Sequence, residues 1–401
     1  MTRPSAEDLD AADALSEYRA LFVDGGGVHA YLDGNSLGRP LTVTADHMRE
    51  FIEHEWGGRL IRGWDERWLD LPAALGDRIG AAVLGAAPGQ TIIGDSTSVL
   101  LYKLARSAVA MRPGRTEIVI DRDNFPTDRY LVEGIAAETG TTIRWIDTEH
   151  DSGVTTELLD AAVTDRTALV LVSHVAYRSG FLVDAPAVTR LIHDRGALLL
   201  LDVSHSVGSV PMQLDDWGVD LAAGCTYKYL NAGPGAPAFA YVRRELVEQV
   251  AQPIWGWIGA ADPFQMEQGY APGPGIRRLL SGTPPILGML PVADMLELIE
   301  RAGIDAIRSK SVALTELAVS LSDSVLRPLG ATLASPRDPG RRGGHITVDH
   351  PRSRDAVARL WRQGVIPDFR TPAGVRLGFS PLTTSFDEVE RGIEALALAL
   401  G

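Results

Sequence analysis

From residue 91 onward, short apolar-rich runs alternate with longer segments whose apolar positions recur every three or four residues. The runs at 91–94, 117–121, 142–147, 168–173, 197–201 and 235–242 are too short for helices and lie between polar turns, so they predict strands, 197–201 a buried parallel one. The intervening segments predict crossover helices over a mostly parallel sheet. After residue 284 helix formers take over, predicting helices over 289–302 and 304–326, then a smaller lobe with strands near 345–348 and 374–380. Upstream, Leu9, Ala12, Leu15 and Tyr18 at helical spacing predict one acidic amphipathic helix over 1 to about 30, ended by Gly25, Gly26 and Gly27. A short strand and turn follow at 31–38, then helices carrying Trp56, Trp64 and Trp68 to about 90; the Gly- and Pro-rich 253–285 reads as a linker or lid. The expected fold class is α/β, a large domain with a mostly parallel sheet and a smaller α+β C-terminal domain. Its divisions are an N-terminal segment over 1–45, a large domain over 46–285 and a small domain over 286–401.

Two polar residues interrupt this pattern where it matters. Asp202 closes the apolar run 197–201, and a carboxylate at the end of a buried strand is costly unless a cation meets it. Lys228 follows in Gly224-Cys-Thr-Tyr-Lys-Tyr-Leu. Only three of the 38 basic residues are lysine (Lys103, Lys228 and Lys310), the other 35 being arginine. Where positive charge alone suffices the chain uses Arg; an amine, unlike a guanidinium, condenses with an aldehyde. A strand-end Asp that keeps a pyridine nitrogen protonated, with a Lys downstream, is the arrangement pyridoxal phosphate needs. Lys103 and Lys310 are expected to be ordinary exposed lysines, and the pairs Arg243-Arg244, Arg277-Arg278 and Arg341-Arg342 solvated charges. Thr97 and Ser98 open a helix after a strand, where unbonded N–H groups suit a phosphate; a plain cap by Asp95 or Ser96 explains the same residues equally well.

Bulk properties narrow the partners. At 45% hydrophobic and 22% charged residues, with net charge −14, the chain reads as an ordinary globular protein and argues against nucleic acid or an anionic membrane surface. One cysteine, Cys225, excludes an intramolecular disulfide and a cysteine metal cluster, and the nine histidines show no zinc spacing, so no metal is expected. With no secretory signal and no run approaching about 18 apolar residues, a cytoplasmic location is expected.

Leu201-Asp-Val-Ser-His-Ser-Val-Gly, Asp216-Trp-Gly-Val-Asp and Gly224-Cys-Thr-Tyr-Lys-Tyr-Leu-Asn-Ala-Gly-Pro-Gly together resemble the kynureninase family, pyridoxal-phosphate enzymes of the fold type I aminotransferase superfamily. Tyr31-Leu-Asp-Gly-Asn-Ser-Leu-Gly, Asn124-Phe-Pro-Thr-Asp, His174-Val-Ala-Tyr-Arg-Ser-Gly and Thr283-Pro-Pro extend the resemblance over most of the chain, in the family's order. It implies hydrolysis of the Cβ–Cγ bond of L-kynurenine to anthranilate and L-alanine, as in tryptophan catabolism, with Lys228 as cofactor anchor and base. Asp202 would hold the ring nitrogen, and Tyr227 would serve the phosphate and proton transfer. Cofactor contacts are implied for Thr97, Ser98, Phe125, Pro126, Thr127, Asp128, Ser173, His205, Trp257 and Thr283. Substrate contacts are implied for Asn35, Ser36, Trp64 and Arg376, the last clamping the α-carboxylate; a structural salt bridge is the plainer account of Arg376. Thr283, by resemblance, reaches the partner's site in a homodimer with shared active sites. Gly282 and Thr283 match members acting on unmodified kynurenine, whereas Leu100 and Val207 replace the family's usual Asn and Ala, are expected near the site, and leave 3-hydroxykynurenine or another ring-substituted kynurenine open. A cysteine desulfurase or aminotransferase would share Asp202 and Lys228, but a desulfurase needs a cysteine well downstream of the lysine, and Cys225 precedes it. A non-catalytic cofactor-binding protein is the remaining alternative.

Overall fold

The computed structural model describes residues 5–266 and 268–401, so the first four residues of the expected N-terminal helix lie outside it. That helix is not continuous. Ser5 caps a single helix, Ala6–Ala11, through a capping box with Asp8, and the chain then turns before a 3-10 segment, Ser16–Leu21. The turn has a cause: Asp13 Oδ1 accepts the Leu15 N–H at 2.9 Å, and its other oxygen lies 2.7 Å from Lys310 Nζ in a buried pair. The first strand, β1 (Ala30–Tyr31), follows.

The predicted strands form one sheet. In chain order they are β2 (Thr91–Gly94), β3 (Glu117–Asp121), β4 (Thr142–Ile146), β5 (Thr167–Ser173), β6 (Leu198–Asp202), β7 (Leu221–Gly224) and β8 (Ala238–Val242). Their spatial order is β2-β8-β7-β6-β5-β3-β4, parallel except that β8 runs antiparallel to both neighbours. Side chains alternate across it: Val119, Val170, Leu199 and Leu201 join one core, and Ile118, Leu169, Leu198 and Leu200 the other. The helices Thr97–Ala110 and Pro126–Thr139 cover the second face; Leu71–Ile79 and Ala185–Asp194 cover the first. Helix Ile286–Ala302, just after the expected 285/286 division, buries Met289, Val292 and Met295 in that first core.

The small lobe has β9 (Thr332–Leu333), β10 (His345–Asp349), β12 (Asp368–Arg370) and β13 (Gly374–Gly378) in the order β12-β13-β10-β9, with β11 (Val365–Ile366) pairing instead with β1. Ile346, Val348, Val375 and Leu377 face a third core with helices Ile304–Leu321 and Phe386–Leu400. Ala6, Ala30 and Leu32 join the same core, which ties the start of the chain to its end. All three lysines are buried, contrary to the expectation for Lys103 and Lys310: each has traded water for a carboxylate, Asp95 at 2.6 Å and Asp13 at 2.7 Å. Arg278 and Arg342 are buried too, beside Glu248 and Glu316, where solvated charges were expected. Among the described residues no helix is long and apolar enough to cross a membrane.

Candidate active site

The carboxyl ends of β5, β6 and β7 converge, as open α/β sheets arrange their ligand sites. β6 ends in Asp202, a buried residue whose Oδ1 accepts the Ser204 N–H at 2.8 Å. β7 runs into the buried turn that carries Lys228. That turn is clamped from above by 31–38: the Gly38 N–H donates to the Tyr227 carbonyl at 2.8 Å, and a Cβ at Gly38 would come within 2.4 Å of the Lys228 carbonyl. Lys228 Nζ stands 3.2 Å from Nε2 and 3.4 Å from Nδ1 of His205, and 5.7 Å from the centre of the Phe125 ring.

The cavity around this amine is lined by Thr97, Ser98, Leu101, Phe125, Thr127, Asp128, Asp202, Ser204 and Tyr227. Pro126 and Ser173 are not among the lining residues; Ser173 donates to Asn124 Oδ1 at 2.8 Å. Leu100 and Val207, expected near the site, are not among the residues lining this cavity. On the helix Thr97–Ala110 positions 97, 98 and 101 face the cavity, which turns Leu100 into the core behind, and Val207 is likewise buried in the core. Ser96 is the plain N-cap, accepting from the Val99 N–H at 3.5 Å, while Asp95 holds φ +50° and pairs with Lys103.

Burial dominates the electrostatics. It pulls the Lys228 amine below its ordinary range, helped by Arg376 and Arg370 and opposed by Cys225 and Asp202. Burial drives Asp128 well up, with Asp202 and Asp121 adding to it, and neither Asp128 oxygen meets a hydrogen-bond partner among the described residues. Asp121 behind it is pushed up to about 7, again mainly by burial. The Tyr227 phenol is raised by burial, so it keeps its proton at neutral pH.

Opposite stands Arg376 of β13, fully buried. Its Nη1 donates to the Tyr177 carbonyl at 2.8 Å, and its Nη2 to Ser36 Oγ and, at 2.8 Å, to Asp368 Oδ2. With the Asn35 amide turned so that both its atoms are satisfied, Oδ1 accepts from Arg376 Nε at 3.1 Å and Nδ2 donates to Asp33. The structural ion pair with Asp368 is therefore present, and Asn35 and Ser36 lie on the guanidinium. Asp33, 3.5 Å from Nη2, is pushed up to about 6 because burial outweighs that cation.

Three anticipated residues are not brought to this cavity within the chain. Trp64 packs edge-on to Trp68 at 5.3 Å, Thr283 is exposed, and Trp257 lies in an exposed aromatic loop where Trp255 stacks on Tyr270 at 4.9 Å. One residue went unnoticed in the sequence: His345 of β10, fully buried, its ring 5.7 Å from that of His205.

Residues 307–396 match the family model described as the kynureninase C-terminal domain. A kynureninase of Pseudomonas fluorescens is 40% identical over 98% of this chain and 94% of its own length. A kynureninase of Burkholderia pseudomallei (strain 1106a) shows the same identity and coverage. Among solved structures, the cysteine desulfurase of Thermococcus onnurineus NA1 superposes with TM-score 0.79 at 18% identity, covering 98% of this chain and 97% of its own. A cysteine desulfurase of Escherichia coli gives TM-score 0.83 at 16% identity, covering 96% and 98%. A mutant of the cystine C–S lyase C-DES, carrying glycine covalently linked to its pyridoxal-phosphate cofactor, gives 0.82 at 19% identity, covering 94% and 98%. These structural likenesses establish a shared fold.

Proposed function

The chain belongs to the kynureninase family, and from that premise we propose that it hydrolyses L-kynurenine between Cβ and Cγ to anthranilate and L-alanine, using pyridoxal phosphate. The observation that carries the reading is a buried lysine, its amine pulled below the ordinary range, that faces His205 and shares its cavity with the strand-end Asp202, with a buried arginine on the opposing lobe. The donor set fits the cofactor. The helix opening at Thr97 and Ser98 suits its phosphate, the Phe125 ring its flat face, Asp202 its ring nitrogen and Lys228 its aldehyde. Thr127 and Asp128 border the same space; Asp128, its carboxyl pushed well up by burial, offers two oxygens there that have no partner among the described residues.

When bound, pyridoxal phosphate supplies an aldehyde that condenses with amines and a ring that accepts electron density from the substrate's Cα. Lys228 Nζ, whose hold on a proton is weakened by burial, takes the Cα proton and later returns one. His205 holds that amine in place. Tyr227, which keeps its proton, is the donor for the carbon released at Cβ. Arg376 orients the α-carboxylate. Cys225, buried and with its thiol pushed up by burial, is unsuited to desulfurase chemistry.

We extend the proposal to a homodimer in which Trp257 and Thr283 complete the partner's site. It is supported by their exposure in one chain and by exposed Ile61 (77%), Leu60 (59%) and Trp255 (67%). Unmodified kynurenine is the preferred substrate in this reading, on the ground of Gly282 and Thr283. The test is turnover of kynurenine and 3-hydroxykynurenine beside Lys228→Ala. Equal anthranilate and alanine from the wild type and none from the variant are expected; cofactor binding without cleavage of either compound would sink the substrate assignment.

A further inference from the structure

The small lobe turns one face of its sheet towards Lys228. Directly opposed residues of an antiparallel pair share a face, and alternate residues along a strand return to it. Thr347 lies opposite Arg376 and His345 opposite Gly378, so His345 stands on the Arg376 face, one step along. It belongs to the site and not to the core, which takes Ile346 and Val348 instead.

His345 is buried yet neither of its ring nitrogens has a hydrogen-bond partner among the described residues; the Ala176 carbonyl approaches the ring outside hydrogen-bond geometry. A buried polar group left so is rare enough to require an explanation. Burial, with Arg376, Lys228 and Arg370 nearby, holds the imidazole well below its usual range, so it presents one N–H donor and one acceptor. Arg376 meanwhile is nearly saturated. Of its five N–H groups, Asn35, the Tyr177 carbonyl, Ser36 and Asp368 occupy four, leaving one on Nη1. A carboxylate bound there with a single direct N–H is poorly held.

We propose that His345 is a substrate-binding residue, its ring N–H donating to the α-carboxylate of the amino acid while Arg376 supplies the charge and its remaining Nη1–H. The inference rests on the amino-acid substrate proposed above, but only on that substrate's carboxylate. It also gives the small lobe a second hand on the substrate, beside the large-lobe His205 that holds Lys228.

The test titrates the pyridoxal-phosphate holoenzyme with L-alanine and with L-alaninamide, which lacks the carboxylate, following the cofactor's absorbance. His345→Ala should raise the Kd for alanine about tenfold to a hundredfold, the worth of one hydrogen bond to a charged group, and leave alaninamide within about threefold. His345→Gln keeps a donor and should bind alanine within about fivefold of wild type. If His345→Ala gives no folded holoenzyme, His345→Met, which fills the ring's space without a donor, takes its place. Equal losses for both ligands, no loss for alanine, or no alanine response in the wild type overturns the proposal. A wild type that shows this alanine pattern but leaves kynurenine intact keeps His345 in its role and removes the kynurenine reading.

Discussion

Replacing Lys103 with methionine takes a cation from beneath the turn that opens the helix Thr97–Ala110. Its Nζ donates to Asp95 Oδ2 at 2.6 Å and to the Leu279 carbonyl at 2.7 Å, and the side chain is fully buried. Removing one partner of a dry ion pair costs ~3–5 kcal/mol, because the other charge is left uncompensated. The Asp95 side chain keeps 28% of its exposure, so water recovers part of that loss. The Leu279 carbonyl loses its donor as well, worth ~1 kcal/mol. We expect Lys103→Met to cost about 3 kcal/mol in all. The pair itself is a different matter. Burial pulls the Lys103 amine below its usual range more than Asp95 raises it, so the two charges together contribute little net stability. Asp95→Asn on top of Lys103→Met should therefore restore stability to within ~1 kcal/mol of wild type, Asn being suited to φ +50°. Urea unfolding of the cofactor-free protein, followed by tryptophan fluorescence, measures all three. A single variant within ~0.5 kcal/mol of wild type, the range that surface substitutions commonly show, or a double variant as unstable as the single, refutes the reasoning.

Gly38→Ala drives a methyl to within 2.4 Å of the Lys228 carbonyl and 2.5 Å of Asn231 Cγ; the loop must move, and cofactor Kd by absorbance titration should rise at least about tenfold. Asp33, pushed up to about 6, is ionised at pH 7.5 and competes for Arg376, but neutral at pH 5.5. The KM for kynurenine should therefore fall as pH drops through 6, by about tenfold at most, and Asp33→Asn should show the low KM at both pH values; a variant that keeps the slope contradicts this. Ile61→Asp places a charge on the exposed apolar surface assigned to the partner, so sedimentation should find monomers and the rate should fall on dilution. Lys310→Met leaves Asp13 buried at 3% side-chain exposure without its cation, and a loss of ~3–5 kcal/mol in urea unfolding is expected.

Local patterning carried the sheet into the sequence. Strands buried on both faces read as continuous apolar runs, so β3, β5 and β6 were legible, and a carboxylate closing such a run made Asp202 visible. The antiparallel β8, inserted between β2 and β7, was not, since direction leaves no mark on a run buried on both sides. Pairings across the fold were equally hidden. Nothing near Lys310 announces Asp13, so its burial and the broken N-terminal helix share one unseen cause. Arg278 and Arg342 looked like solvated pairs for the same reason. Lysine scarcity singled out Lys228, but burial proved common to all three lysines, so scarcity alone does not separate anchor from strut. His345 did leave a signal. In His345-Ile-Thr-Val-Asp349 the polar residues alternate with the apolar ones, marking a face turned from the core, and Arg376 between Val375 and Leu377 repeats it. Leu101 lines the cavity and Leu100 does not, a difference of one position, or about 100°, around the helix.

The hydrogen bond from Arg376 to Ser36 closes 340 residues of chain. At translation rates of ~5–20 residues per second, a ribosome delivers Ser36 roughly 20–70 s before Arg376. The seven-stranded sheet needs nothing beyond Val242, so the lysine and its surroundings have their own strands while the tail is still being made. The proposed carboxylate grip does not. Until the last stretch emerges, Ala30 and Leu32 lack the core they fill, and the nascent chain exposes the very segment that will later close over its site.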